Sequence, residues 1–199
     1  MDDLKIYFDT EFTHFGIDSE PELISIGAIA ETGETFYAEI IDYDKNLCSE
    51  FVKTTVIPNL YLQKNPNKKN CLITDINGNY EVKGDGAHVM QYFSKKWLQN
   101  LIERYNCTSI NLISDCCAYD FYLLCRYFLK YYKTLPNKLV PYCHDICGDL
   151  ESSMGLTQRE AFDISRENVV KMLHQKLPKG KKHNALYDAK VIKIISENI

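Results

Sequence analysis

No stretch of this 199-residue chain approaches the ~20 consecutive apolar residues that a membrane-spanning helix requires, so no membrane partner is expected. The first residues, MDDLKIYFDTE, lack the basic stretch and apolar core of a secretory signal. Without an export signal, the eight cysteines read as free thiols of a cytoplasmic protein, not as a disulfide framework. An excess of positive charge is missing too. The 23 Lys and Arg are outnumbered by 27 Asp and Glu, for a net charge of −4, which is not the bulk signature of a duplex-DNA binder. Repeats, low-complexity tracts and long linkers are absent. The length suits one domain with a sizeable core, and residues 1–199 are read that way.

The apolar pattern gives an α/β order. Residues 4–12, 22–31 and 34–41 read as consecutive strands, the last two joined by the turn Glu31-Thr32-Gly33-Glu34. ELISIGAIAE is almost wholly apolar, as in a strand covered on both faces. Residues 42–85 carry turn signals at Asn65-Pro66-Asn67, Asn77-Gly78-Asn79 and Gly84-Asp85-Gly86 and read as a loop-rich insertion with some short structure. A helix over 87–104, a strand over 109–115 and a helix over 118–132 follow. A short strand over 139–147 and helices over 157–163, 165–176 and 184–198 complete the order. Three strands followed by alternating helices and strands predict a mixed sheet with an antiparallel start and crossover connections.

Against this background the acids stand out. In YFDTEFTHFG, alternation along a strand puts Tyr7, Asp9 and Glu11 on one face. Two carboxylates at i and i+2 on a buried face repel each other and cost desolvation, unless a cation or water lies between them. Asp120 opens the helix AYDFYLL, where the helix dipole favours an anion. In HNALYDAKVIKII, Asn184 is a candidate N-cap. Asp188 is then the one charged residue on a face of Ala185, Ala189, Ile192 and Ile195. Four carboxylates from separate segments are untenable together without cations. Two divalent ions, Mg²⁺ or Mn²⁺, suit hard oxygen ligands and at about 4 Å apart can clamp both oxygens of a phosphoryl transfer. His183, just before the last helix, has the right chemistry to deprotonate an attacking water.

These residues carry a resemblance. FDTEF at 8–12, AYDFYLL at 118–124 and HNALYDA at 183–189 are similar, in order and spacing, to the three motifs of the DEDDh group of 3′-5′ exonucleases. The resemblance implies a ribonuclease H-like, three-layer α/β fold with a mixed five-stranded sheet flanked by helices. It implies Asp9, Glu11, Asp120 and Asp188 as ligands of two divalent cations and His183 as general base. Ser114-Asp115-Cys116 stands where relatives often carry an Asn, so Asp115 is left out of the metal set. DTEF in place of the commoner DxET, with the hairpin that follows, resembles a bacterial and phage exoribonuclease subgroup. That implies hydrolysis of single-stranded RNA 3′ ends to nucleoside 5′-monophosphates, with a leaning towards adenylate. A DNA-proofreading type, which shares the motifs, and a catalytically silent nucleic-acid-binding scaffold are the alternatives.

Substrate contacts are expected from Phe12, His14 and Phe15 stacking on a base, and from Lys179 and Lys182, with Lys181, drawing the phosphate backbone towards His183. Phe12 could equally belong to the core. Cys143, His144 and Cys147 in CHDIC resemble half of a zinc site, although buried thiols are the simpler reading. Tyr127, Tyr131 and Tyr132 look exposed in the sequence and suggest a homodimer.

Overall fold

The computed structural model describes residues 3–16, 19–64 and 71–199; for 71–73 it describes the backbone only. A seven-stranded sheet has the order β4-β5-β3-β2-β1-β6-β7. Its strands are β1 (Asp3–Phe12), β2 (Leu23–Ala30), β3 (Thr35–Ile40), β4 (Cys71–Thr74), β5 (Tyr80–Gly84), β6 (Ser109–Ser114) and β7 (Leu139–Asp145). β2 runs antiparallel to both of its neighbours, β1 and β3, and β6 and β7 run parallel to β1. The five strands expected are thus present, with β5 parallel to β3 and β4 antiparallel to β5 beyond them. These two come from the stretch read as loop. They are short, and joined by Asp75–Asn79, where one Asp75 carboxylate oxygen accepts the N–H groups of Asn77 and Asn79 and Gly78 takes a φ of 88°. The turn signals there mark a hairpin, which the punctuation of the segment concealed. Asn65-Pro66-Asn67 and Lys68-Lys69 lie outside the described residues.

Helices cover both faces. On one lie α1 (Gly86–Tyr92), which runs through a wider turn into α2 (Gln99–Tyr105), and α3 (Cys117–Tyr132). Leu4, Ile6 and Phe8 of β1 pack there among Phe93, Trp97, Leu124 and Phe128. On the other face lie α4 (Ile146–Met154), α5 (Gln158–Asp163), α6 (Arg166–Met172) and α7 (Ala185–Ser196). Tyr7, Ile113, Val191, Ile192 and Ile195 share that second core. Full burial of Val191, Ile192 and Ile195 contributes about 1.5–3 kcal/mol each to docking α7. The sequence pattern runs a strand to 147 and marks no helix over 148–156. Instead Asp145 caps a new one, its carboxylate accepting the Cys147 N–H at 2.9 Å.

α7 sits unusually close to the sheet. A Cβ at Gly27 would lie 2.1 Å from the Ala185 carbonyl carbon and the Leu186 nitrogen. Only glycine allows that approach. Gly27 is also the cross-strand partner of Asp9, so the start of α7 is delivered beside β1's first acid. Residues 42–64 cross the sheet end in short helical turns, Lys45–Leu47, Val52–Val56 and Ile57–Asn59. They bury Ile24 under Tyr43, Val52, Val56 and Leu60. The three tyrosines read as exposed are not so. Tyr127 is buried, with its hydroxyl accepting the Leu23 N–H, and Tyr131 and Tyr132 pack against the core. α3 is long enough to turn that face inward, and the homodimer reading loses the surface it was drawn from.

Candidate active site

The alternation along β1 holds. Asp9 and Glu11 project towards α7, whereas Thr10 projects towards α3. Asp120, in the first turn of α3, is fully buried, at 1% exposure. One of its oxygens accepts the Thr10 hydroxyl at 2.6 Å and the Thr10 N–H at 3.2 Å. The other accepts the Ser114 hydroxyl at 2.5 Å. Asp188, in the first turn of α7, accepts the His183 N–H at 2.7 Å. The loop before α7 is therefore folded back onto its own acid, with His183 at a φ of 62°, a left-handed conformation uncommon for a residue with a Cβ.

Two groups result. One ligand atom each from Glu11, His183 and Asp188 lie within 4.8 Å of one another, as do those from Asp9, Asp115 and Asp120. Asp9 and His183 line both of the cavities, of about 520 and 450 Å³, that open onto these groups. The crowding is visible in the acids themselves. Burial first, then Asp120, Asp188, Glu11 and Asp115, holds the Asp9 carboxyl well above the ordinary range. Burial, then Asp188 and Asp120, does the same to Glu11. Burial pushes Asp120 up to about 7 although the Ser114 and Thr10 hydrogen bonds oppose it. It raises Asp188 likewise to about 7 against the His183 N–H. Burial and the nearby Lys182 ammonium lower the His183 imidazole. An acid set that resists losing its protons is one that lacks positive charge. Oxygen donors of this kind, converging from three elements, fit hard divalent cations.

The other expected residues are divided. Phe12 stacks on Tyr119 with centroids 5.4 Å apart and rings 5° from parallel. Phe15, 65% exposed, meets both edge-on at 4.8 and 4.7 Å. Phe12, His14 and Phe15 line the cavity beside Glu11, with Phe12 also packed against the core. The ring nitrogens of His14 are engaged by the Thr13 and Ser19 hydroxyls. Lys182 lines the cavity containing Asp9 and Asp188. Lys179 does not; it faces a separate cleft behind the loop. Cys143, His144 and Cys147 do not converge. Cys143 pairs with Cys117, His144 bonds Asp149 at 2.6 Å and Cys147 meets Arg166. Among the described residues, the converging His, Cys, Asp and Glu groups are the two acid groups above.

Some neighbours were left out of the expected site or missed by the sequence reading. Asp115 joins Asp9 and Asp120, its charge met by Arg166 at 2.7 Å. Phe51 sets its edge against the His183 ring at 5.1 Å and 88°. Asn59 donates to the Lys182 carbonyl at 2.9 Å, and Asn184 donates to the Tyr37 hydroxyl at 3.1 Å, so the histidine loop is moored to Asn59 and to β3. Asp115 had a signal, in the place where relatives often carry an Asn, and so had Tyr119, as the aromatic before the third acid.

Sheet order and layering are those of a ribonuclease H-like α/β fold. The comparisons agree on that fold. The nuclease domain of 3′hExo, a DEDDh family member bound to rAMP, superposes with a TM-score of 0.59 at 12% identity, covering 98% of this chain and 88% of that one. Cell-death related nuclease 4 does so with a TM-score of 0.63 at 16% identity, over 98% and 63% of the two chains. The Mg²⁺- and Mn²⁺-bound form of S. pombe Pop2p gives 0.58 at 14% identity, over 96% and 81%. In sequence, 57 residues are 39% identical to a 3′-5′ exoribonuclease of Mycobacterium tuberculosis, a stretch spanning 29% of this chain and 33% of that protein. No protein-family model matches the chain. Among the described residues, no helix is long and apolar enough to cross a membrane.

Proposed function

We propose that this chain is a single cytoplasmic exonuclease domain, with residues 42–85 as an insertion. It would remove nucleoside 5′-monophosphates from the 3′ ends of single-stranded RNA. The observation that carries the reading is the convergence of Glu11, His183 and Asp188 beside Asp9, Asp115 and Asp120, at motifs the DEDDh enzymes share. Asp9, Glu11, Asp120 and Asp188 would hold two divalent cations, Mg²⁺ or Mn²⁺. When bound, such ions supply Lewis-acid charge to the scissile phosphate and favour hydroxide over water.

The protein's own groups do the rest. Thr10 and Ser114 fix both oxygens of Asp120, so that the carboxylate does not have to be oriented during turnover. Burial and Lys182 keep the His183 imidazole neutral near pH 7, and its ring nitrogen accepts the proton of the attacking water. Phe15, with the Phe12–Tyr119 stack behind it, offers a platform for the terminal base. His14 shapes that cavity, and Lys182 draws in the backbone phosphate. RNA rather than DNA is favoured by the stretch shared with the mycobacterial exoribonuclease.

End-labelled single-stranded RNA and matched DNA, incubated with Mg²⁺ or Mn²⁺, test the proposal. Stepwise shortening from the 3′ end is expected, faster on RNA, and abolished by chelation and by Asp9→Ala. No shortening of either strand in either metal would overturn it.

A further inference from the structure

Behind the histidine loop lies a second cleft, of about 410 Å³, that the acids do not reach. It is lined by Lys64, Lys179, Lys181 and Lys190, with Glu81 as its single acid. Such a concentration of positive charge is out of keeping with a chain whose net charge is −4. The walls are built. Lys64 is held at the rim, its ammonium donating to the Pro58 carbonyl at 2.8 Å. The Tyr61 hydroxyl donates to Glu81 at 2.9 Å, which engages one oxygen of the only local countercharge. The loop wall is pinned as well, because a Cβ at Gly180 would lie 2.6 Å from the Tyr187 ring.

Lys190 is the telling residue. Two positions past Asp188, it projects from the opposite side of α7, about 200° around the helix. Asp188 therefore faces the acid groups, while Lys190 faces the cleft. It is half-buried in the cleft wall. Desolvating a lysine without a bonded partner costs free energy that a bound anion would return. Four lysines bordering one small cavity suit a compact, multiply charged anion. Lysines act on phosphate as point charges, and the volume is within the range of small-molecule sites.

We propose that this cleft is a binding site for a phosphate-bearing ligand of more than one phosphate. Its occupant would draw on Lys179 and Lys181, and so bear on the loop that carries His183. The site is distinct from the acid cluster and does not depend on the nuclease reading.

The test uses metal-stripped full-length protein in metal-free buffer, in which the acid cluster repels phosphate. Titration calorimetry with inorganic pyrophosphate should give saturable 1:1 binding. Lys190→Gln should weaken it at least fivefold and Lys190→Arg should restore most of it, whereas Asp9→Ala and His183→Ala should bind as the parent does. If Lys190→Gln does not fold, the exposed pair Lys64→Gln with Lys181→Gln carries the same expectation. Two further arms identify the source of the phosphate. Displacement of pyrophosphate by a single-stranded RNA decamer assigns it to a nucleic-acid backbone. Tighter binding of ATP, with no displacement by the decamer, assigns it to a free nucleotide. Absence of saturable pyrophosphate binding, or equal affinity in folded variants lacking these lysines, would overturn the proposal.

Discussion

The raised acids make the metal-free protein lose stability as the pH rises. Asp188 ionises at about 7 in the fold, against an ordinary 3.8. A carboxyl that holds its proton more tightly when folded stabilises the fold fully below the lower value and not at all above the higher. Treated as a single site, Asp188 gives up about 2–3 kcal/mol between pH 5 and pH 8. In a chain of this size that is roughly 5–10 °C in Tm. Thermal unfolding followed by circular dichroism at both pH values, on metal-stripped wild type and Asp188→Asn, measures the difference. Asparagine keeps an acceptor for the His183 N–H but has no proton to lose, so the variant should fall less by that amount. Removing the Asp188 charge also relieves Asp9 and Glu11, whose carboxyls it helps to hold up, and that relief acts in the same direction. At pH 8, Mn²⁺ at a hundred times its dissociation constant should return about 2.7 kcal/mol to the wild type. Parallel pH dependence in the two proteins, or no response to Mn²⁺, would refute the argument that these carboxylates are mutually destabilised.

Gly27→Ala should displace the start of α7, because its Cβ would meet the Ala185 backbone at 2.1 Å. A stability loss of about 3 kcal/mol, with weakened Mn²⁺ binding, is expected in urea melts and calorimetry; an unchanged midpoint would contradict it. Ser114→Ala removes one hydrogen bond from buried Asp120 and should cost about 1–3 kcal/mol. It should also raise the pKa of that carboxyl, readable by carboxyl NMR. Phe15→Ala, at a side chain 65% exposed, should leave Tm within about 1 °C while raising KM for RNA. Loss of a stack worth about 1–3 kcal/mol corresponds to roughly 5- to 150-fold, and an unaltered KM would remove Phe15 from the substrate path.

What the sequence made legible was local. Two-residue alternation placed Asp9 and Glu11 on the α7 face of β1, and helical spacing placed Asp188 on the packed side of α7. Both patterns repeat within a few residues and are enforced by burial. What it concealed depends on partners far along the chain. Thr10 meets Asp120 across 110 positions, and Asp115 meets Arg166 across 51. No periodicity announces such pairs. β4 and β5 were hidden for another reason. They are too short to establish a pattern, and their turn residues resemble those of a loop. Lys179 was drawn towards the acids by its place beside His183, yet with Lys181 it lines the cleft behind the loop, and of the three lysines only Lys182 lines the cavity with Asp9.

The mooring of the histidine loop has a mechanical consequence. The acids hang from the sheet and from the first turns of two long helices, which are the stiffest parts of the molecule. His183 is steadied by Phe51 and through Asn59, both on the turns that cross the sheet end. Besides the bond from its own N–H to Asp188, His183 thus rests on turns that lie outside the sheet. On warming, the histidine should work loose while the acid cluster is still intact. Changes in length or sequence within residues 42–64 would then retune the timing of proton removal without touching a single carboxylate.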